Sequence, residues 1–376
     1  MKRFEIRNAY FDKLLNTPGL KWLGQNTNHV RAHPDVIEAM VKCARDEDFH
    51  VYAPPAGLEE LRAGILSDIG LPEQSALVSD GAVASLYHVC HTLLRPGDDF
   101  ITTDPTWNWP MAFARSVGAN VIQIPIYGAE YGYRLAPERL AAAVTPRTKM
   151  IYIVDPNNPL GSACTRAEIE AIAAIARQAG AWLVHDCTYR HFAHEHHLAG
   201  AIYPERTVTI YSFSKWLGLA GLRVGAVVAS SDVVEQLASA PPNNLGSSLL
   251  SQRAALAGLK IKKEWFPQVL ALTRDNQAMI QAAVARIPGF SIPVYPSNGN
   301  FVVLECGNGV RPEALVSAYG ERGIMIRQGS YHTPTFGDRF VKISTSVPRA
   351  WVEELVELLP TMVERARGIN SDTPLF

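Results

Sequence analysis

Three polar clusters follow short apolar runs in the middle of the chain and carry side chains that can do chemistry. Residues 155–161 read DPNNPLG, residues 186–189 read DCTY, and residues 211–225 read YSFSKWLGLAGLRVG. They offer a carboxylate, a phenol, a lysine amine and a guanidinium, which are groups that move protons, attack electrophiles and bind anions. Singly, each cluster is also typical of a turn, a helix cap or a surface loop. Their occurrence in this order, each at a predicted strand end, favours one shared site.

The elements that would position these clusters follow from hydrophobic periodicity. A helix is predicted between 165 and 180, because Thr165 and Glu168 have the spacing of a capping box and Gly180 closes the pattern. With the strands before and after it, this helix is typical of a right-handed parallel crossover. Such units bring the carboxyl ends of their strands, where ligands bind, to one edge of the sheet. Strands are predicted at 100–103, 121–125, 150–154, 181–185 and 207–211.

The remainder of the chain predicts a second, smaller α+β unit. The first forty residues hold no strong periodic pattern, whereas a long helical stretch is predicted past Pro267. We therefore expect a large domain over 41–275 and a small domain formed by 1–40 and 276–376. The later elements are predicted as strands at 301–305 and 340–345 and helices at 311–320 and 348–367.

Composition and charge exclude several classes of function. The 376 residues carry 35 basic and 36 acidic side chains, a net charge of −1, which leaves no excess to neutralise the phosphates of nucleic acid. No run approaches the ~20 apolar residues of a membrane-spanning helix, and the N-terminus lacks the apolar core of a secretory signal. The five cysteines are scattered and odd in number, which favours reduced thiols. We expect a cytoplasmic protein with neither nucleic acid nor membrane as a partner.

Taken together, the clusters resemble the class I/II aminotransferases, which are fold type I enzymes dependent on pyridoxal 5′-phosphate (PLP). The likeness runs from about Asn26 to the final helix, and its most specific part is S-F-S-K-x-x-G-L-A-G-L-R-x-G at 212–225. The resemblance implies an α/β fold with a large domain, whose mostly parallel central sheet is flanked by helices, and a smaller α+β domain. It also implies a homodimer and the transfer of an amino group from an α-amino acid to a 2-oxo acid.

The resemblance assigns catalytic roles to three residues. Lys215 is implied to hold PLP as a Schiff base and, once free, to move a proton. Asp186 is implied to face the pyridine nitrogen and keep it protonated, and Tyr189 to lie beside the ring O3′. Two other implied cofactor contacts are Asn158 at O3′ and Trp107 stacked on the ring. The residues implied at the phosphate are Gly81, Ala82, Val83, Ser212 and Arg223. Tyr52 is implied to reach the phosphate bound by the neighbouring subunit.

One position departs from the family pattern. Members usually carry an arginine that grips the substrate α-carboxylate where this chain has Lys342. Lysine keeps the charge but lacks the planar fork, so Arg327 is a second candidate for substrate binding. Because the orientation of the carboxylate selects which bond reacts, other PLP reactions stay open beside transamination, namely decarboxylation, racemisation, elimination and oxidation.

A histidine-rich segment at 185–197 suggests a different function, because imidazoles at such density can bind zinc. The HExxH spacing is absent, so we expect a solvated loop and predict no metal ligand. A metal-binding or hydrolytic protein stays the alternative from another class, whereas a PLP-binding regulator is disfavoured because no helix-turn-helix precedes the fold. The histidines concerned are His185, His191, His194, His196 and His197.

The substrate is the least defined part of the prediction. An aromatic-lined pocket is one hypothesis, and a pocket for an acidic group, formed by Arg190 and Arg327, is the other. Both hypotheses rest on neighbours in sequence rather than in space. The aromatic candidates are Trp107, Trp109, Tyr189 and Tyr331.

Overall fold

Strands and helices alternate along most of the chain in the structure, a computed structural model that describes residues 3–240, 243, 245–307 and 309–369. The α-helices are α1 (Arg3–Leu15), α2 (Pro34–Arg45), α3 (Glu59–Ile69), α4 (Ala82–Leu93), α5 (Trp109–Ser116), α6 (Pro137–Ala143), α7 (Arg166–Gln178), α8 (Ala199–Ile202), α9 (Ser231–Ala238), α10 (Leu249–Val284), α11 (Pro312–Gly320) and α12 (Arg349–Arg367). The strands are β1 (Lys21–Trp22), β2 (Ser75–Ser79), β3 (Asp99–Asp104), β4 (Asn120–Pro125), β5 (Thr148–Val154), β6 (Trp182–Asp186), β7 (Thr207–Ser212), β8 (Gly225–Ala229), β9 (Phe301–Glu305), β10 (Ile324–Met325), β11 (Arg327–Gln328) and β12 (Phe340–Ser344).

A seven-stranded sheet of order β2-β8-β7-β6-β5-β3-β4 forms the centre of the larger part. Only β8 runs against its neighbours β2 and β7, and the other pairs in the sheet are parallel. The adjacent strands β5, β6 and β7 therefore end at one edge, at Val154, Asp186 and Ser212. This arrangement confirms the predicted mostly parallel sheet and brings the three polar clusters together.

Burial explains why these segments form strands. Every residue of β3, β6, β7 and β8 is buried, as expected for strands covered by helices on both faces. The helix predicted between β5 and β6 is α7, and its capping box between Thr165 and Glu168 is present. Its apolar stripe, which includes Ile169 and Ile172, packs against the sheet, and Gly180 follows its end at a φ of +62°.

A three-stranded antiparallel sheet of order β11-β12-β9 forms the second unit. Helices α11 and α12 pack on it through a shared apolar core. The N-terminal segment joins this unit, because β1 pairs with β10 and Leu23 is buried in the same core. Val36 of α2 packs instead in the core between α10 and the large sheet.

Two features differ from the sequence prediction. The long helix begins at Leu249 rather than past Pro267, which lies inside it. Pro267 has no backbone N–H, so the carbonyl of Lys263, one turn earlier, loses its helical hydrogen bond. Both residues lie on the exposed face of the helix, where water can bond to that carbonyl. Strand β2 was not predicted, since its short SALVS segment carries no distinct alternation.

Two general expectations can be compared with the structure. None of the helices in the described part of the chain has the length and apolar character needed to cross a bilayer. Each of the five cysteines is a free thiol, as the sequence predicts.

Candidate active site

A cavity of about 440 Å³ opens at the carboxyl ends of β5, β6 and β7. Its walls come from the large sheet, the three-stranded sheet and the N-terminal segment. Eleven of the residues predicted for the site line it, from seven separate stretches of the chain. They are Ala82, Val83, Trp107, Asn158, Asp186, Tyr189, Ser212, Lys215, Arg223, Arg327 and Lys342.

Lys215 lies in the loop that follows β7, with its amine inside the cavity. The Nζ atom donates a hydrogen bond to the Gln25 carbonyl oxygen at 3.1 Å. Burial, helped by the nearby Arg223 charge, lowers the pKa of Lys215 to about 8, although Asp186 opposes the shift. The amine is therefore a better nucleophile near neutral pH than an exposed lysine.

Asp186 ends β6 and is almost fully buried. Its Oδ1 accepts bonds from the Thr188 amide at 3.0 Å and the Thr188 hydroxyl at 2.6 Å, and its Oδ2 accepts one from the Tyr152 hydroxyl at 3.0 Å. Burial nevertheless raises the pKa of the Asp186 carboxyl. A cation beside this carboxylate would relieve that penalty, which fits the protonated pyridine nitrogen of PLP.

Tyr189 and Asn158 are oriented by their neighbours. The Asn26 amide nitrogen donates to the Tyr189 hydroxyl oxygen at 2.9 Å, which leaves the phenol proton for another acceptor. The Asn158 Oδ1 accepts from Lys342 Nζ at 3.3 Å, which leaves the Asn158 amide nitrogen as a free donor. Two donors facing the same cavity fit the phenolate-like O3′ of PLP.

The start of α4 forms a cradle for an anion. Its first amides, those of Ala82 and Val83, have no acceptor within the helix, and Gly81 supplies no side-chain cap. Gly81 has a φ of +87°, and a Cβ there would lie 2.3 Å from the Arg223 guanidinium. Ser212, at the end of β7, lines the same region. Helix amides, an arginine and a hydroxyl fit a phosphate group.

Trp107 and Tyr52 differ in how the single chain places them. Trp107 is half-buried in the cavity wall, where an aromatic ring can stack on a planar ligand. Tyr52 is 76% exposed and does not line the cavity of its own chain. Its expected reach into a neighbouring subunit stays a prediction.

Two buried cations lie at the opposite end of the cavity. Arg327 and Lys342 are partners across β11 and β12, and each is 3% exposed. Within the described ranges no carboxylate lies within 4.0 Å of either side chain; the Arg327 guanidinium instead lies 4.7 Å from the centre of the Tyr331 ring. Burial and the charges of Arg327 and Lys215 hold the pKa of Lys342 well below its usual range. An anionic ligand would suit this pair.

Several residues of the site were not predicted from the sequence. Gln25 and Asn26 lie in the cavity wall and contact Lys215 and Tyr189, respectively. His332 is buried beside Arg327 and Lys342, and neither of its ring nitrogens has a hydrogen-bond partner among the described residues. No periodic pattern marks these positions, and the close packing of Gly24 on Ile326 appears only in three dimensions.

Two expectations about substrate and metal residues are wrong in part. Arg190 is not in the cavity, because its guanidinium donates to the Asp68 carbonyl at 3.1 Å and pairs with the Asp68 carboxylate. The histidine-rich segment is not a solvated loop, because the side chains of His185, His191 and His196 are at most 6% exposed. The sequence could not reveal this burial, since the partners come from distant segments.

Comparisons with known proteins agree with this geometry. A family model described as aminotransferase class I and II matches residues 19–359. Histidinol-phosphate aminotransferase 2 of Caulobacter vibrioides is 31% identical over 343 residues, 90% of this chain and 85% of that protein. The aspartate/prephenate aminotransferase of Thermus thermophilus is 29% identical over 318 residues, 79% of this chain and 80% of that protein. The structure of substrate-bound BacF from Bacillus subtilis is similar in fold, with a TM-score of 0.84 at 22% identity over 99% of this chain and 97% of that one.

Proposed function

This chain belongs to the class I and II aminotransferases, and on that premise we propose that the cavity around Lys215 is its catalytic centre. The protein is a PLP-dependent enzyme that transfers an amino group from an amino acid to a 2-oxo acid. One observation carries the assignment of the centre. Lys215, Asp186 and the first turn of α4 meet at one cavity although they are distant in sequence.

Lys215 is the proposed attachment point and proton carrier. PLP supplies an electron sink that stabilises negative charge developing at the substrate Cα. The lowered pKa of the Lys215 amine, about 8, keeps a fraction of it neutral and nucleophilic at neutral pH. After release from the coenzyme, the same amine is a base of suitable strength to carry a proton from Cα.

The surrounding residues orient and tune the coenzyme in this proposal. Asp186 would pair with the pyridine nitrogen and keep it protonated, and Thr188 and Tyr152 fix the carboxylate in place. Tyr189 and Asn158 would donate to O3′, and Trp107 would stack on the ring. The amides of Ala82 and Val83, together with Ser212 and Arg223, would hold the phosphate.

The substrate carboxylate is proposed to bind between Arg327 and Lys342. Arg327 is a buried cation without a carboxylate partner in the described residues, and the low pKa of Lys342 means that its amine gains its charge when an anion binds beside it. A carboxylate supplies the missing charge, and Arg327 supplies the planar fork that Lys342 lacks. Lys342 therefore supplies the positive charge of the family's usual arginine when the carboxylate is bound. Arg327, on the neighbouring strand β11, supplies the planar two-bond geometry.

A third cation favours donors that carry a second anionic group. Arg7 of α1 lies in the cavity wall with its guanidinium 4.7 Å from the centre of the Trp109 ring, and the described residues give it no carboxylate partner. The names of the two relatives point to different substrates, so the cavity itself has to indicate the substrate class. With Arg7, Arg327 and Lys342 facing one space, acidic donors are favoured over cationic or apolar ones.

The organisation of the chain completes the proposal. We propose a large PLP-binding domain over 41–275, a small domain formed by 1–40 and 276–376, and a cytoplasmic homodimer. An exposed group of apolar side chains near Tyr52, including Phe49, Val51 and Leu245, supports a protein interface. Contact of Tyr52 with the partner's phosphate would place two sites at that interface.

A panel of amino donors tests the proposed function. Single-turnover reactions with aspartate, glutamate, phenylalanine and arginine should convert the coenzyme to its amino form, with the largest kcat/KM for the dicarboxylic donors. Arg7→Gln should lower kcat/KM for aspartate and glutamate about tenfold, because a charged hydrogen bond contributes about 1.5 kcal/mol, and should leave phenylalanine unchanged. Equal effects on all donors would remove Arg7 from substrate selection. Release of carbon dioxide without a 2-oxo acid would contradict transamination.

A further inference from the structure

A second group of buried polar side chains lies outside the residues that line the cavity. It consists of Asp155 after β5, His185 and Cys187, which flank Asp186, and His196 in the segment after β6; we call these four residues the His/Cys cluster. The side chains of Asp155, His185 and His196 are 1%, 0% and 6% exposed, and Cys187 is 2% exposed. Neither the proposed mechanism nor the family assignment uses them.

The donor atoms of the cluster converge on one small space. One ligand atom each from His185, Cys187 and His196 lies within 4.8 Å of the other two. The Asp155 Oδ2 atom is 3.5 Å from His185 Nε2 and 3.3 Å from His196 Nε2. In a tetrahedral zinc site, with Zn–S of about 2.3 Å and Zn–N of about 2.0 Å, neighbouring donors are about 3.5 Å apart. Closure of these three donor atoms by up to about 1.3 Å would bring them to tetrahedral spacing.

An independent observation points to a missing ligand. Asp155 Oδ2, His185 Nε2 and His196 Nδ1 are buried, and none of them has a hydrogen-bond partner in the described part of the chain. A buried polar atom left unsatisfied costs about 1–3 kcal/mol. The Asp155–His185 ion pair at 3.5 Å offsets part of this cost, whereas His196 Nδ1 is not part of that pair. The other Asp155 oxygen is held by the Cys164 amide at 2.8 Å, and His196 Nε2 lies 3.0 Å from the Asp155 carbonyl. These contacts fix the carboxylate and leave the His196 Nδ1 lone pair available.

We propose that the His/Cys cluster binds one Zn²⁺ through Cys187 Sγ and one ring nitrogen each of His185 and His196, with a solvent oxygen as the fourth ligand and the Asp155 carboxylate beside it. A sulfur, two imidazoles and an oxygen form a donor set that suits tetrahedral Zn²⁺. The thiolate and the carboxylate neutralise the charge of the ion. The thiol proton, which now points to the His185 carbonyl at 3.6 Å, leaves to solvent when the metal binds.

Metal binding at His185 Nε2 requires one rearrangement. The His185 Nδ1 atom now accepts a bond from the Ala199 amide at 3.4 Å. Coordination at Nε2 moves the proton of the neutral ring to Nδ1 and breaks this contact. Its loss leaves the buried Ala199 amide without this acceptor, a cost of about 1–3 kcal/mol that the metal–ligand bonds have to exceed.

The position of the ion would give it a structural role. It would join the end of β5, the end of β6 and the segment that carries His196 directly behind Asp186. The Asp155 amide already donates to the Asp186 carbonyl oxygen at 3.0 Å. The site therefore restrains the backbone that presents Asp186 to the cavity, and it takes no part in the reaction itself.

Metal analysis of the PLP-loaded enzyme tests this inference. After equilibration with Zn²⁺ and removal of free metal, we expect about one zinc per chain. Cys187→Ser and His196→Ala should each lower the zinc retained at least tenfold. A matched control that carries both His194→Ala and His197→Ala removes two neighbouring histidines outside the cluster and should retain zinc. Loss of zinc in that control, or equal zinc in all variants, would assign the metal to the protein surface and overturn the proposal.

A second measurement needs no variant and so does not depend on variant folding. X-ray absorption at the zinc edge of the unmodified enzyme should show one sulfur at about 2.3 Å and three nitrogen or oxygen neighbours at about 2.0 Å. A shell without sulfur, or an enzyme that retains no zinc, would contradict the proposed ligands.

Discussion

Replacing Lys342 by methionine separates substrate binding from coenzyme binding. Methionine keeps most of the length of the side chain and removes its charge, so the buried position stays filled. The Lys342 amine contacts Asn158 at 3.3 Å and lies next to Arg327, at the end of the cavity away from Arg223. Its loss should therefore weaken the grip on the substrate carboxylate far more than the grip on PLP.

The size of the effect follows from the burial of this cation. A hydrogen bond to a charged group contributes about 1.5–3 kcal/mol, and part of it is offset because the low pKa of Lys342 requires proton uptake when the anion binds. We expect a net loss of about 2 kcal/mol, which is about a 30-fold decrease in kcat/KM for an amino acid donor. The dissociation constant of PLP should rise less, by about fivefold, because loss of the contact with Asn158 weakens one neutral hydrogen bond to O3′ by about 1 kcal/mol.

The assay is a stopped-flow half-reaction that follows the absorbance of the lysine-linked coenzyme at increasing donor concentration. Lys342→Arg is the matched control, because it keeps the charge and adds the planar fork. It should retain or increase kcat/KM. Equal losses of donor and PLP affinity in Lys342→Met, or no loss of either, would show that Lys342 does not bind the substrate carboxylate.

Three further predictions concern the coenzyme side of the cavity. Burial lowers the pKa of Lys215 to about 8, so its reactive neutral form decreases below that pH. PLP should therefore attach to the coenzyme-free enzyme about 50-fold more slowly at pH 6 than at pH 8. An attachment rate that shows no break near pH 8 would contradict this. Asp186→Asn cannot balance the charge of a protonated pyridine nitrogen. The loss of about 3–4 kcal/mol of transition-state stabilisation should lower kcat by about 10²–10³-fold in the same half-reaction. A fall of less than tenfold would remove this ion pair from the mechanism. Gly81→Ala meets both a φ of +87° and the Arg223 guanidinium, and should weaken PLP binding at least about tenfold by fluorescence titration; unchanged affinity would mean that the first turn of α4 does not hold the phosphate.

The sequence indicates the central sheet and the cofactor end of the cavity because both depend on local patterns. Strands β5 to β7 are short apolar runs, α7 begins with a capping box, and each polar cluster follows one of these strands at a shared edge. The resemblance then gives a role to each cluster. All of these residues line the cavity except Gly81, which precedes the lining residue Ala82, and Tyr52.

The substrate end is predicted less completely because it depends on contacts between distant segments. Asn26 orients Tyr189 across 163 positions, and His332 becomes part of the site only when β11 and β12 pair. Arg190 has the right charge for substrate binding, but Asp68, on a helix far away in sequence, takes up its guanidinium. Asp155 likewise meets His185 and His196 only because β5 and β6 are neighbours in the sheet. No pattern within a single segment encodes such pairings.

Covalent labelling of Lys215 tests the proposed catalytic centre most directly. The enzyme is loaded with PLP, reduced with borohydride, digested and analysed by mass spectrometry, with Lys342 and the other lysines as internal controls. We predict that the pyridoxyl group is found on Lys215 and on no other residue, and that a large excess of a dicarboxylic amino donor protects it. An unmodified Lys215 peptide, or label spread over several lysines, would contradict the account.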